Sequence, residues 1–157
     1  MGLEPFKIVN FGVFDRGRFK LARCSSGIMI MPTILIVEDM PDSADLARHI
    51  LKRYGHEVLI AETGTKALAM AEQNQPHLIL FDFWLPDIDA RTFLERLRSI
   101  PTLVDTPIIV CSATPESAIL KQTGEPGFTD LIRKPYTVSL FMEVIDRHLS
   151  GSEQKRK

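Results

Sequence analysis

The sequence predicts an α/β domain in which a parallel β-sheet carries helices on both faces. Five short apolar runs alternate with five stretches of helical apolar spacing, which is typical of parallel strands joined by right-handed crossovers. The run Leu78–Asp82 is apolar on both faces and ends at a carboxylate, as expected of a strand in the middle of the sheet. With 157 residues, 45% of them hydrophobic, the chain is long enough for one well-buried domain.

Two strand and helix pairs precede this central run. An apolar, β-branched run at residues 34–37 predicts the first strand, and the helix that follows ends at Gly55. The apolar residues of that helix recur at i, i+3, i+4 and i+7, at Ala47, Ile50, Leu51 and Tyr54. Residues 57–61 and 65–73 predict the second strand and helix, and Gln75 and Pro76 close the unit.

The alternation continues after the central run. The third helix has Phe93, Leu94, Leu97 and Ile100 on one face. Residues 107–111 predict a fourth strand, residues 115–122 a weaker helix, and residues 128–133 a short fifth strand. The last helix is predicted to end at Gly151, and its apolar stripe consists of Val138, Phe141, Val144, Ile145 and Leu149.

The first 30 residues differ from the rest of the chain. They are net basic and lack a sustained period, so they predict either a short hairpin around Arg16 and Gly17 or no structure. Met31 stands directly before the first strand and could be the true translation start. We therefore expect an N-terminal extension at residues 1–30 that is disordered or not native, a domain at 31–150, and a flexible tail at 151–157.

Composition narrows the functional classes. A net charge of −1 carries no bulk signature of nucleic-acid binding. Cys24 and Cys111 are far apart, and Cys111 lies in a predicted core strand, which argues against a disulfide framework. The chain lacks both a secretory signal pattern and the roughly 20 apolar residues of a membrane span. These features predict a cytoplasmic protein.

Polar side chains follow four of the five predicted strands. Glu38 and Asp39 follow the first, Asp82 ends the third, Ser112 follows the fourth and Lys134 the fifth. In a parallel sheet these ends meet at one edge, where ligands bind. Three carboxylates there would repel one another without a cation, and oxygen donors suit Mg²⁺. Taken singly, the same residues could be helix caps, strand ends or solvated charges, so it is their convergence that favours a functional site.

In order and spacing, four motifs resemble those of the receiver (response regulator) domain of two-component signalling. They are I-L-I-V-E-D, L-I-L-F-D-F-W-L-P-D-I-D-A, I-I-V-C-S-A and R-K-P, within residues 31–150. The resemblance implies a flavodoxin-like, doubly wound sheet of five parallel strands in the order 2-1-3-4-5, with five helices.

The resemblance also implies a phosphoacceptor and a metal site. Asp82 would attack the phosphoryl group of a partner kinase's phosphohistidine and become an aspartyl phosphate. Asp39 and Asp82 would hold Mg²⁺ directly, Glu38 would act through water, and the backbone carbonyl of Trp84 would complete the protein ligands. Phosphoryl transfer needs mainly positioning and charge neutralisation, which is consistent with these residue types.

Two further residues would contact the phosphoryl group. Lys134 would pair with one phosphoryl oxygen, and the hydroxyl of Ser112 would move to bind another. Family members usually have a cis peptide bond before the proline that matches Pro135, which would direct Lys134 inward. Residue 131 is normally an aromatic switch that moves with the hydroxyl, and here it is Leu131.

Leu131 is one of several departures from the family pattern. It puts in doubt the usual coupling by which phosphorylation changes the surface of the domain. Leu85 replaces a common methionine. Ala90 replaces a usual glycine, which would cost about 1 kcal/mol if the position needed a positive φ. Trp84, the sole tryptophan, would either pack against its loop or screen the aspartyl phosphate from water.

Other enzymes and binding proteins use similar strand ends. A haloacid-dehalogenase-type phosphatase needs a second aspartate where Trp84 stands, and a flavodoxin-type FMN site would be repelled by Glu38 and Asp39. The remaining alternative is a degenerate receiver that binds a partner constitutively without phosphorylation.

The expected partners are a sensor histidine kinase or phosphotransfer protein and a downstream protein target. We expect a stand-alone receiver that acts by docking, because no effector module follows the last helix. Direct nucleic-acid binding and membrane association are not expected. Beyond its own phosphotransfer and dephosphorylation, the protein is not expected to be an enzyme.

Overall fold

A five-stranded parallel sheet forms the centre of the protein. A computed structural model describes residues 31–124 and 127–152. The predictions for residues 1–30, and for the tail beyond residue 152, lie outside the described residues. The strand order is β2-β1-β3-β4-β5, and every pairing is parallel. The predicted flavodoxin-like sheet is therefore confirmed. The strands are β1 Thr33–Val37, β2 Glu57–Ala61, β3 Leu78–Asp82, β4 Ile108–Ser112 and β5 Asp130–Arg133.

Five α-helices connect and follow these strands, as predicted. They are α1 Pro41–Arg53, α2 Gly64–Asn74, α3 Ala90–Ser99, α4 Glu116–Thr123 and α5 Val138–Ser152. The prediction that Gly151 ends the last helix is wrong, because α5 continues through it to Ser152. Of the helices in the described part of the chain, none combines the length and apolar character that a membrane span requires.

The strands bury side chains on both faces of the sheet. Leu35 and Val37 of β1 face the layer formed by α2, α3 and α4, whereas Ile34 and Ile36 face α1 and α5. This two-sided burial explains why the strand sequences are continuous apolar runs and do not alternate. In the predicted stripe of α5, Phe141, Val144 and Ile145 are buried, Leu149 is partly buried, and Val138 at the start is 45% exposed.

Arg98, near the C-terminal end of α3, contacts two other segments of the chain. Its Nη1 donates to the backbone carbonyls of Leu103, Val104 and Thr106 at 3.1, 3.0 and 2.7 Å, and its Nε donates to that of Gly127 at 3.1 Å. Burial lowers the pKa of the guanidinium, but four carbonyl acceptors compensate the buried charge. The side chain therefore holds the segment before β4 and the segment before β5 against α3.

We expect Arg98→Met to lower the free energy of unfolding by about 2 kcal/mol, because four backbone carbonyls, three of them partly buried, lose a charged donor. Chemical denaturation with urea measures this change. Arg91→Met is the matched control on the same helix, since Arg91 is exposed and pairs with exposed Glu95. Equal midpoints for the two variants would contradict the role assigned to Arg98.

His56 is a buried imidazole before β2, and among the described residues its Nδ1 has no hydrogen-bond partner. Burial lowers its pKa below the ordinary value of 6.5. As the pH falls through 6.5, unfolded chains bind a proton there that the folded protein resists. The free energy of unfolding therefore decreases as the pH is lowered from 6.5 toward the lowered pKa of His56, by up to about 1.4 kcal/mol per pH unit.

His56→Leu removes this contribution, so the variant should gain stability relative to the parent as the pH is lowered from 7 to 5. Urea denaturation at several pH values measures the difference. A difference that stays constant over this range would show that His56 protonates as readily in the folded protein as in the unfolded chain.

Candidate functional site

Four strand ends meet at the carboxyl edge of the sheet, as the sequence predicts. Phe81 lies opposite Val37, so Glu38 and Asp82 follow at the same level of neighbouring strands. On the other side of β3, Asp82 lies opposite Cys111, and Ser112 comes next. The backbone N–H of Lys134 donates to the carbonyl of Ser112 at 2.9 Å, which places Lys134, the residue after β5, beside them.

Lys134 joins two carboxylates at this edge. Its Nζ lies 3.0 Å from Oε2 of Glu38 and 2.9 Å from Oδ2 of Asp82. The side chains of Glu38 and Asp82 are only 7% and 16% exposed, so solvent screens these ion pairs weakly. The peptide bond between Lys134 and Pro135 is cis, as the family resemblance implied. Lys134 thus forms one charged cluster with Asp82 and Glu38, which lie 52 and 96 positions before it in the chain.

The electrostatics of the cluster follow from its partial burial. Burial raises the pKa of Glu38, and the nearby Asp82 carboxylate adds to this, against the hydrogen bonds from Lys134 and the Met40 backbone. Burial alone would lower the pKa of Lys134, but its hydrogen bonds to Asp82 and Glu38 outweigh burial and hold that pKa well above its usual value. Lys134 therefore stays charged, and the two carboxylates together attract further positive charge.

Asp39 lies at the same edge but outside this contact set. Its residue is exposed, and within the described residues no ion pair joins it to Lys134. Across residues 31–124 and 127–152, no three acidic, imidazole or thiol side chains are grouped as metal ligands. The donor chemistry nevertheless fits Mg²⁺, because two carboxylates face one ammonium and an exposed third carboxylate is adjacent in the chain. The predicted ligand set of Asp39, Asp82, Glu38 and the Trp84 carbonyl remains a prediction.

Trp84 connects the loop after β3 with the loop after β4. Its backbone N–H donates to Oδ1 of Asp82 at 2.9 Å, and its indole Nε1 donates to Oγ1 of Thr114 at 3.0 Å. The residue is 61% exposed, and its ring contacts Phe83 edge-on. The sequence predicted Trp84 beside the site but not its partner Thr114, because that contact spans 30 positions.

Ser112 is buried at the end of β4, and its hydroxyl oxygen accepts a hydrogen bond from the backbone N–H of Thr114 at 3.0 Å. Leu131 lies on β5 opposite Val110 and is partly buried against the α2, α3 and α4 layer. Thr114 therefore contacts both Ser112 and Trp84. The switch roles of Ser112 and Leu131 remain predictions.

Ala90 occupies an ordinary helical position. It is the first residue of α3, and Asp89 before it caps the helix by accepting hydrogen bonds from the backbone and hydroxyl of Thr92. Within the described residues the only positive φ outside glycine is at Gln75. The backbone penalty considered for Ala90 therefore does not arise.

A cavity of about 450 Å³ opens beside the charged cluster. Glu38, Asp82 and Lys134 form its polar side, whereas Leu46 of α1 and Tyr136 before α5 belong to its apolar side. Leu46 is 57% exposed, so the apolar side reaches the surface of the protein. The charged cluster therefore lines a cavity that opens to solvent beside α1.

Comparison with known proteins shows the family to which this fold and these motifs belong. The model of the response regulator receiver domain matches residues 34–146. The chain is 30% identical over 118 residues to the chemotaxis protein CheY of Bacillus subtilis, covering 74% of this chain and 97% of CheY. It is 36% identical over 108 residues to the DNA-binding dual master transcriptional regulator RpaA of Synechocystis, covering 69% of this chain. There it spans only 45% of the relative's length.

Solved structures show the same architecture. A signal receiver domain of a histidine kinase from Syntrophus aciditrophicus superposes with a TM-score of 0.72 at 29% identity, covering 80% of this chain and 94% of that one. The receiver domain of the sensor histidine kinase PA1611 from Pseudomonas aeruginosa, determined with a magnesium ion in its active site cleft, has a TM-score of 0.72 at 24% identity, covering 76% and 98%. The chain therefore belongs to the response regulator receiver domain family of two-component signalling.

Proposed function

We propose that Asp82 accepts a phosphoryl group from the phosphohistidine of a sensor histidine kinase or phosphotransfer protein. The observation that carries the proposal is the pair of contacts from Lys134 Nζ to Glu38 and Asp82, at 3.0 and 2.9 Å. These contacts place a permanent cation beside a carboxylate at the mouth of the central strand. A phosphoryl group that arrived there would bring negative charge to a position where the protein already supplies a positive one.

Each residue has a defined task in this transfer. A carboxylate oxygen of Asp82 attacks phosphorus, the bond between phosphorus and the histidine nitrogen breaks, and the imidazole leaves with the bonding electrons. Lys134 pairs with a phosphoryl oxygen, and the Ser112 hydroxyl turns from Thr114 to donate to another. Asp39, Asp82 and the Trp84 carbonyl would hold Mg²⁺, with Glu38 acting through water, and the ion would supply charge neutralisation. The protein thereby catalyses its own modification and is not otherwise an enzyme.

The output of the modified domain is proposed to be docking to a downstream protein. The Ser112 hydroxyl and Trp84 share Thr114 as a partner, so a movement of Ser112 reaches the surface of both loops. Leu131 favours the second candidate, a receiver that binds its target constitutively, because leucine replaces the usual aromatic residue and can repack only with less leverage when Ser112 moves. The two candidates differ in whether a phosphoryl group is taken up.

Incubation with acetyl phosphate and Mg²⁺ tests the proposal. We expect one phosphoryl group per chain, seen by intact-protein mass spectrometry, that is absent when EDTA replaces Mg²⁺ and is released by hydroxylamine, as acyl phosphates are. A chain that stays unmodified with both acetyl phosphate and a panel of phosphorylated kinases would support the constitutive alternative. A modification that resists hydroxylamine would place the phosphoryl group on a different type of side chain.

A further inference from the structure

Asp87, in the loop between β3 and α3, is bonded to the first turn of α2. Its Oδ1 accepts the backbone N–H of Gly64 at 2.8 Å, and its Oδ2 accepts the backbone N–H and hydroxyl of Thr65 at 2.9 and 2.6 Å. Slight burial opposes the charge, but these hydrogen bonds lower the pKa of Asp87. The carboxylate also faces the positive end of the helix dipole, which strengthens the contact.

α2 does not require Asp87 as its N-cap. The side chain of Thr63 already fills that position and accepts the backbone N–H of Lys66 at 3.2 Å. Asp87 instead satisfies two other N–H groups of the first turn from a segment 22 to 23 residues away. Its effect is to connect a loop to a helix.

The packing beneath this contact is equally close. Gly64 is buried, and a Cβ added there would overlap the side chain of Ile88 and come within 3.2 Å of Leu85. Glycine therefore lets the loop lie directly on the start of α2. Hydrogen bonds from Asp87 and packing by Ile88 and Leu85 hold the same short segment from two directions.

The loop between β3 and α3 also contains Trp84, whose backbone carbonyl belongs to the proposed metal site. The loop is held by the Trp84 N–H on Asp82 at one end and by the Asp89 cap of α3 at the other, with Asp87 between them. We propose that Asp87 is a positioning residue that fixes the Trp84 carbonyl for a divalent cation by binding the loop to α2. The inference rests on the proposed function, and it adds a residue that contacts neither the cation nor the phosphoryl group.

A Mg²⁺ titration that follows the fluorescence of Trp84, the sole tryptophan, together with isothermal titration calorimetry, tests this inference without any phosphorylation step. Asp87→Ala should raise the Mg²⁺ concentration at half-saturation about tenfold, the loss typical of an outer-sphere positioning group. Thr65→Val, which removes only the hydroxyl bond to Asp87, should raise it about threefold.

Thr63→Ala is the matched control. It weakens the same helix end but not the loop contact, so it should lower the melting temperature without changing Mg²⁺ affinity more than about twofold. Equal Mg²⁺ affinity in the parent and Asp87→Ala would overturn the inference and leave the proposed function intact. A similar loss of affinity in Thr63→Ala would show that Asp87 acts only through helix stability. A parent protein that binds no Mg²⁺ up to tens of millimolar would remove both proposals.

Discussion

Asp82→Asn should abolish phosphoryl uptake from acetyl phosphate, a loss of at least about 10³-fold. The amide is not nucleophilic at this position, and it removes one of the two carboxylates that contact Lys134. The fold should persist, since Lys134 keeps its 3.0 Å contact with Glu38. Intact-protein mass spectrometry measures the uptake, and circular dichroism with thermal melting checks the fold.

Asp45→Asn is the control for the loss of one aspartate. Asp45 lies on the exposed side of α1 and pairs with exposed Arg48, so this variant should be phosphorylated like the parent. Undiminished, hydroxylamine-sensitive phosphorylation of Asp82→Asn would mean that another carboxylate is the acceptor, and the interpretation of the charged cluster would be wrong.

Lys134→Met has the second large expected effect, on two separate quantities. The initial rate of phosphorylation should fall by about 10²–10³-fold, because a positioned cation no longer stabilises the charge on the transferring group. The free energy of unfolding should fall by about 2 kcal/mol, because Glu38 and Asp82 are left partly buried without a counter-charge. Radiolabel transfer and urea denaturation measure the two quantities independently.

Lys66→Met separates this effect from the general loss of a lysine. Lys66 contacts Glu62 at 3.1 Å, but both side chains are more than 60% exposed, so the pair should contribute less than about 0.5 kcal/mol. Mg²⁺ should restore part of the stability lost in Lys134→Met, since it neutralises the same carboxylates. If Lys134→Met and Lys66→Met unfold at the same urea concentration, Lys134 does not neutralise the cluster.

The sequence was sufficient to predict the fold because local signals agree with the final architecture. Continuous apolar runs identified buried parallel strands, and apolar spacing identified α1 and α3 without tertiary information. Boundaries were less predictable, as α5 shows. Glycine often marks the end of a helix, but it also tolerates helical φ and ψ. At Gly151 the helix continues, and α5 ends at Ser152.

Topology also explains how much of the site was predictable. Once the strands were known to be parallel, Glu38, Asp82 and Lys134 had to meet at one edge, and they do. Contacts between loops were not predictable in this way. The hydrogen bond between Trp84 and Thr114 joins residues 30 positions apart, and the one between Asp87 and Gly64 of α2 joins residues 23 positions apart. Neither pair shows a spacing pattern in the sequence.

The same limit applies to charged side chains that bind backbone groups instead of other charged side chains. Arg98 looks like an ordinary basic residue near a helix end, where a cation favours the dipole. Its four carbonyl acceptors lie 5 to 29 residues away, in the segments before β4 and β5. Composition and spacing carry no signal for such a contact.

The position of the phosphoryl group tests the central claim most directly. Borohydride reduces an aspartyl phosphate to homoserine and leaves unmodified aspartate intact, so tandem mass spectrometry of the phosphorylated, reduced protein identifies the acceptor residue. We expect homoserine at position 82, and only after incubation with Mg²⁺ and a phosphodonor. Homoserine at another aspartate, or none in a protein that carries a phosphoryl group, would contradict the assignment of the phosphoacceptor to the cluster of Glu38, Asp82 and Lys134.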